Sequence, residues 1–65
     1  MKLNDKVKIN LRTIPRGLLR DELKNPINNW GVIISVDDLE VTVKWGNGET
    51  NEYFMSWLEV LECQN

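Results

Sequence analysis

Apolar and polar side chains alternate along residues 39–45, which is the clearest pattern in the chain. The apolar members are Leu39, Val41, Val43 and Trp45. A period of two residues is typical of a strand with one face buried and the other exposed to water. Gly46, Asn47 and Gly48 follow directly, and glycine adopts positive φ angles at little cost. The pattern therefore predicts a β-hairpin whose second strand begins near Thr50.

The loop length of this hairpin decides which residues of its second strand are buried. A two-residue loop would place Glu52 opposite Val43, with a carboxylate in the apolar row. A three-residue loop, with Gly48 in the left-handed conformation, instead pairs Val43 with Asn51 and Val41 with Tyr53. We favour this second loop because Glu52 then points outward. It also places Phe54 on the outer face, beside Glu40.

Two further segments have the alternation or composition of strands, and a turn precedes the second of them. Residues 5–11 alternate, and the pattern predicts an inward face formed by Val7, Ile9 and Leu11. The last strand is predicted from Leu58 to Glu62. Residues 55–57, Met-Ser-Trp, are too few for an element of their own and are interpreted as a single turn.

Residues 30–36 are rich in Val and Ile and predict a strand that pairs with residues 39–45. A tight reversal at Asp37 and Asp38 would put alternate residues on the core face, namely Trp30, Val32, Ile34 and Val36. A bulge near Ile34 and Ser35 would turn Ile33 inward instead, and both arrangements are open because residues 32–34 are all apolar. Gly31 permits close packing against a neighbouring strand.

The segment between the first two strands has a helical pattern. Pro15 suits a first helical turn, Leu19 and Leu23 are one turn apart, and Pro26 disfavours helical geometry before it. These features predict one short helix from about Pro15 to Lys24. In an α-helix the basic residues of this segment would form a stripe at i, i+4 spacing, consisting of Arg16, Arg20 and Lys24.

The predicted elements define the fold class. Five short strands around one small core, with a long first connection, favour an all-β domain that is a strongly curved or closed barrel. At 65 residues the chain forms one domain, residues 1–65, in which roughly 60% of the unfolded chain's surface can be buried.

Charge is distributed unevenly along the chain, although the formal net charge is only −2. Residues 1–24 contain seven Lys and Arg against three acidic residues, whereas residues 25–65 contain one Lys against seven acidic residues. One interpretation is that the two halves attract each other across the fold and keep it soluble. The other is a basic surface for an anionic partner.

The residue types exclude several kinds of chemistry. The chain has no histidine and one cysteine, Cys63, so one copy contains neither the usual nitrogen and sulfur ligands of a zinc site nor a His-activated nucleophile. We therefore expect no enzymatic activity, no cofactor and no metal. No apolar run approaches the roughly 18 residues that span a bilayer, and no signal peptide is evident, which favours a cytoplasmic location without membrane contact.

Half of the chain resembles a known fold family. The runs Gly31–Val36 and Val41–Gly48, then Asn51 to Tyr53 and Leu58-Glu59, resemble an SH3-like barrel. The hairpin sequence Trp-x-Asn-Gly-x-x-Asn-x-Tyr is closest to Mib/Herc2-type domains and to small uncharacterised phage and bacterial proteins. This resemblance implies a small SH3-like barrel but is weak for function, because such barrels bind peptides, bind nucleic acids or act as scaffolds.

The favoured functional hypothesis is a non-catalytic protein- or peptide-binding module, an accessory protein of phage or bacterial type. Trp45 and Tyr53 are explained as core residues by the alternation. Phe54 and Trp57 interrupt it and are therefore the candidates for an exposed protein contact, with Glu40 beside them. Tudor-like relatives hold cationic groups in an aromatic cage near acidic residues.

Two alternatives belong to other classes. Similarity to KOW-type barrels implies nucleic-acid binding through phosphate contacts from Lys6, Lys8, Arg12, Arg16, Arg20 and Lys24. The pI near 4.9 argues against this alternative. Plasmid-borne dihydrofolate reductase is a small SH3-like barrel with catalytic activity, but its Val-Gln-Ile-Tyr run is absent from this chain. An enzyme is therefore the last-ranked hypothesis.

Overall fold

The computed structural model describes residues 1–20 and 24–61. The described strands are β1 (Lys6–Ile9), β2 (Gly31–Val36), β3 (Glu40–Trp45), β4 (Thr50–Phe54) and β5 (Leu58–Val60). They form one antiparallel sheet in the order β4-β3-β2-β1-β5, with no pairing between β4 and β5 among the described residues. The prediction of an all-β domain with five strands is confirmed.

The hairpin of β3 and β4 has the predicted register. Val41 lies opposite Tyr53 and Val43 lies opposite Asn51. The backbone N–H of Gly48 donates to the carbonyl of Trp45 at 3.0 Å, and Gly48 has φ 91°. The loop is therefore the three-residue form with glycine in the left-handed position. The charged Glu52 side chain is exposed, as the argument from burial requires.

The core lies on the inner face of the sheet. Its buried hydrophobic residues are Val7, Ile9, Ile14, Ile33, Val41, Val43, Trp45, Tyr53 and Leu58. The predicted burial of Trp45 and Tyr53 is confirmed, and their rings meet edge to face at a centroid distance of 5.7 Å. Burial of several large side chains supplies most of the stabilisation that a domain of this size can obtain.

Strand β2 contains the bulge that the sequence left open. Ile33 pairs with Val43 and Ser35 pairs with Thr42, so Ile34 is the additional residue. Ile33 is buried and Ile34 is 48% exposed. The alternative in which the even-numbered residues face the core is wrong for Trp30 and Ile34, because the bulge shifts the strand by one residue and exchanges its faces. It is also wrong for Val36, which lies beyond the bulge, opposite Val41, and is 42% exposed.

Two leucines that the alternation placed in the core are exposed. Leu39 precedes β3 and is 71% exposed, while Leu11 follows β1 in a turn. In both places the strand pairing ends before the alternating sequence does, so nothing keeps the side chain on the inner face. Ile14, three residues beyond Leu11, is buried in the core.

The predicted helix of residues 15–24 is wrong as an α-helix. The structure has a 3₁₀ helix at Arg16–Arg20, and residues 21–23, including Leu23, lie outside the described part. The predicted turn at Met55–Trp57 is confirmed as a second 3₁₀ helix. The last strand ends at Val60, and the predicted end at Glu62 lies outside the described residues together with Cys63.

A buried hydrogen-bond network connects the long first connection to the hairpin. The indole N–H of Trp45 donates to the Tyr53 hydroxyl at 3.0 Å. That hydroxyl lies 2.7 Å from Asn25 Oδ1 and 2.8 Å from the carbonyl of Lys24, which share its hydrogen. Asn25 Oδ1 also accepts from Asn51, and Asn25 Nδ2 donates to the carbonyl of Leu18 at 2.7 Å. Every side-chain atom of Asn25 that can form a hydrogen bond therefore has a partner.

Replacing Gly31 with alanine is expected to destabilise the fold. The added Cβ would lie 2.5 Å from Val43 Cγ1 and 2.8 Å from both Lys44 O and Trp45 Cε3, which forces the core to shift. We expect Gly31→Ala to lower the free energy of unfolding by about 1–3 kcal/mol in equilibrium urea unfolding. Gly17→Ala is the matched control, because nothing lies within 4 Å of its Cβ position. Equal stability of the two variants would contradict this packing.

Removing the Tyr53 hydroxyl is expected to destabilise the fold without changing its shape. Tyr53→Phe leaves the buried Trp45 indole N–H without an acceptor, at a cost of about 1–3 kcal/mol. Thermal unfolding should show a loss of roughly 4–8 °C per kcal/mol for a domain of this size. Phe54→Tyr adds the same hydroxyl to the adjacent exposed ring and should leave the melting temperature unchanged. A neutral Tyr53→Phe would show that the network is not stabilising.

Candidate functional site

The predicted protein-binding residues lie close together at one end of the hairpin. Phe54 is 41% exposed and sits directly opposite Glu40 across β3 and β4. The rings of Phe54 and Trp57 meet edge to face at 4.8 Å. Trp57 is only partly exposed, because it also packs against the core. Its position is fixed by a backbone hydrogen bond of 2.8 Å from Asn10 N to Trp57 O.

Two residues that the sequence analysis did not assign to the site extend its apolar surface. Met55 N donates to Leu39 O at 3.1 Å, which brings the start of β3 against the second 3₁₀ helix. Leu39 and Phe54 together line two neighbouring depressions of about 240 and 370 Å³. We call the surface formed by Leu39, Phe54, Met55 and Trp57 the Phe54 patch.

Carboxylates border the Phe54 patch on one side. Asp37, Asp38 and Glu40 line the smaller depression with Leu39 and Phe54, and all three carboxylates are exposed. The turn that presents them is closed by a hydrogen bond of 2.8 Å from Asp37 N to Glu40 O. No Lys or Arg among the described residues lines either depression. The site therefore combines exposed apolar side chains with a negative border.

Leu39 is the residue of the Phe54 patch that the alternation wrongly placed in the core, and the signal for its exposure was the turn before it. Asp37 and Asp38 form the reversal, so Leu39 occupies the position at which the chain leaves the turn. Alternation alone does not reveal whether the first residue of such a run is paired. The exposed leucine becomes part of the candidate site because the pairing of β3 with β4 begins at Glu40.

The six basic residues of the nucleic-acid alternative are all exposed but do not form the predicted arrangement. In a 3₁₀ helix, with 3.0 residues per turn, residues four apart lie roughly 120° apart around the axis. Arg16 and Arg20 therefore do not share one stripe. Lys6 lies over the Trp30 ring at 4.7 Å, and Lys8 lies 3.8 Å from Glu59. These two lysines of β1 therefore already have partners on the sheet, a tryptophan ring and a carboxylate.

Comparison with known proteins gives no further guide to the site, since no family model, no curated protein and no solved structure matches this chain. Within residues 1–20 and 24–61, no three His, Cys, Asp or Glu side chains are grouped so as to hold a metal ion. Among the same residues, no helix is long and apolar enough to cross a membrane.

Substitutions on either side of Glu40, the first residue of β3, test the boundary of the site. Val41→Ala removes two buried methyl groups and should cost about 2 kcal/mol, whereas Leu39→Ala removes a side chain that is 71% exposed and should change stability by less than about 0.5 kcal/mol. Urea unfolding of both variants measures the difference. A loss for Leu39→Ala as large as that for Val41→Ala would place Leu39 in the core.

Proposed function

We propose that this protein is a non-catalytic module that binds a peptide or a segment of another protein through the Phe54 patch. The observation that supports the proposal best is the exposure of Leu39 and Phe54 beside three carboxylates. Contiguous exposed apolar side chains with a polar border are characteristic of protein interaction sites. The resemblance to SH3-like barrels agrees with this function and belongs to the same proposal.

The chemistry of the patch defines the ligand. Leu39, Phe54 and Met55 offer an apolar contact, and Asp37, Asp38 and Glu40 attract positive charge. A ligand that matches both has a bulky apolar side chain next to Lys or Arg. The exposed Phe54 ring beside Glu40 also suits a cation placed over an aromatic face.

The size of the depressions favours a peptide over a small-molecule cofactor. Their volumes, about 240 and 370 Å³, lie below and just above the lower end of the roughly 300–1,000 Å³ of small-molecule sites, and both are open to solvent. A shallow surface of this size fits one or two side chains of an extended segment. The proposal includes a cytoplasmic accessory role without a bound cofactor, supported by the absence of histidine and the single cysteine in the sequence.

Selection from a randomised peptide library, followed by fluorescence anisotropy, tests this proposal. We expect enrichment of peptides in which Lys or Arg adjoins an aromatic or aliphatic residue. Phe54→Ser should weaken their binding by at least about tenfold, as expected for a central apolar contact, while the melting temperature changes little. Glu40→Lys should also weaken peptide binding, because it reverses the charge beside Phe54 and repels Lys or Arg of the peptide.

Val60→Ser is the matched control for the apolar substitution. Val60 is 47% exposed, slightly more than Phe54, but lines neither depression of the Phe54 patch. Its replacement should leave peptide affinity unchanged. The proposal fails if no basic and apolar peptides are enriched, or if Phe54→Ser binds them as tightly as the natural sequence does. Trp57→Ser is less informative, because Trp57 also packs against the core.

A further inference from the structure

A second exposed apolar surface lies on the outer side of β2, away from the Phe54 patch. The bulge turns Trp30, Val32 and Ile34 away from the core, leaving Trp30 and Ile34 47% and 48% exposed. Together with Lys44 they line a depression of about 330 Å³. None of these residues lines the depressions of the Phe54 patch.

Lysines flank this apolar strip on both sides. Lys6 of β1 and Lys44 of β3 are the two residues paired with Val32, so they occupy the same outer face on either side of it. Lys6 Nζ lies 4.7 Å from the centroid of the Trp30 ring. Among the described residues Lys44 forms no ion pair. An exposed tryptophan thus lies under one cation and lines a depression with a second.

The basic surface extends from Trp30 toward Lys8 and Arg12. Trp30 and Lys8 line a second depression of about 320 Å³ with the amides of Asn28 and Asn29. Lys8 also lines a third, of about 430 Å³, together with Arg12. The three depressions adjoin one another through Trp30 and Lys8. We call this surface the Trp30 track, and its lining cations are Lys44, Lys8 and Arg12, with Lys6 above Trp30.

We propose that the Trp30 track binds single-stranded nucleic acid, with a base stacked on Trp30 and the phosphates in contact with Lys6, Lys8 and Lys44. Sequence-tolerant binding of single strands combines a cationic groove with an aromatic side chain on which bases stack. A duplex does not offer an unpaired base for Trp30, which is why a single strand fits better. This site is separate from the proposed peptide-binding function and does not depend on it.

The lysines and the exposed indole together favour single-stranded nucleic acid over an acidic polypeptide. An acidic polypeptide would satisfy the lysines but has no flat π-system to match the exposed indole. Within the described part of the chain, the single carboxylate that lines the track is Glu59, 3.8 Å from Lys8. Lys6 covers one face of the Trp30 indole. When a base stacks on that face, the Lys6 ammonium leaves the ring and contacts a phosphate of the same strand.

Fluorescence anisotropy with a labelled oligothymidine of about 12 nucleotides tests the proposal, since small barrels contact roughly 4–16 nucleotides. We expect binding at about 50 mM salt that weakens as salt rises. Three phosphate contacts predict a slope of about −2 for log K against log salt concentration, from roughly −0.7 per contact for single strands. Trp30→Ala should weaken binding roughly 5- to 150-fold, and Trp30→Phe should restore most of the affinity.

Substitutions that remove the same charge inside and outside the Trp30 track distinguish binding at the track from general electrostatic attraction. Lys44→Ala should lower the affinity and reduce the steepness of the salt slope by about 0.7. Arg20→Ala removes the same charge from the 3₁₀ helix, outside the track, and should have little effect. Glu59→Gln releases Lys8 and should strengthen binding. Phe54→Ser should leave oligothymidine binding unchanged, so failure of this proposal is distinguishable from failure of the peptide proposal.

Four outcomes would overturn the proposal. They are no oligothymidine binding at low salt, an unaffected affinity in a Trp30→Ala variant that melts normally, equal losses for Lys44→Ala and Arg20→Ala, and equal binding of a duplex of the same length. Polyglutamate serves as the competitor that identifies a different class of ligand. If it displaces oligothymidine at equal concentrations of charge, and Trp30→Phe does not differ from Trp30→Ala, the surface binds acidic polypeptides instead.

Discussion

The hydrogen-bond network around Asn25 is the interaction on which the arrangement of this small domain depends. The sheet supplies its own backbone hydrogen bonds, but the long connection between β1 and β2 has only a short 3₁₀ helix among its described residues. Asn25 fixes this connection to the hairpin through Tyr53 and Asn51. Because buried polar groups are costly when unpaired, a hairpin without Asn25 would lack partners for the groups it now satisfies. The network therefore selects one position for the connection, where apolar contacts alone would permit several.

The bulge in β2 is the second constraint, and it determines which surface the protein presents to solvent. A regular strand would bury the side chains on the Trp30 side, whereas one additional residue buries Ile33 and turns Trp30 and Ile34 outward. Gly31 is part of the same arrangement, because its missing side chain leaves room for Trp45 on the adjacent strand. The exposed apolar strip is thus a consequence of how the core is filled, and the lysines paired with Val32 give it a charge.

The sequence was sufficient to predict the pairing of two strands wherever only one register kept a charged side chain out of the core. Glu52 excluded the two-residue loop, which fixed the hairpin and placed Phe54 beside Glu40. It was insufficient in β2, because residues 32–34 are all apolar and either face could be buried. It misplaced Leu11 and Leu39, since alternation does not show where pairing ends. Helical spacing likewise does not distinguish an α-helix from the 3₁₀ helix that positions Arg16 and Arg20. The Phe54 patch was therefore predicted only in part, and only one of the two open arrangements of β2 placed Trp30 in the core.

The small net charge of the chain conceals a separation of charge along a single strand. Glu40 and Lys44 both point outward from β3 and lie at its two ends, about 13 Å apart at roughly 3.3 Å per residue. This separation exceeds the Debye length of about 8 Å at physiological ionic strength, so each end keeps its own potential instead of cancelling the other. In the two proposed functions, the cationic peptide would be attracted to the end with Glu40, Asp37 and Asp38, and the anionic strand to the end with Lys44. Each end also repels the ligand that suits the other end, so the sign of the charge distinguishes the two ligands before any side chain makes contact.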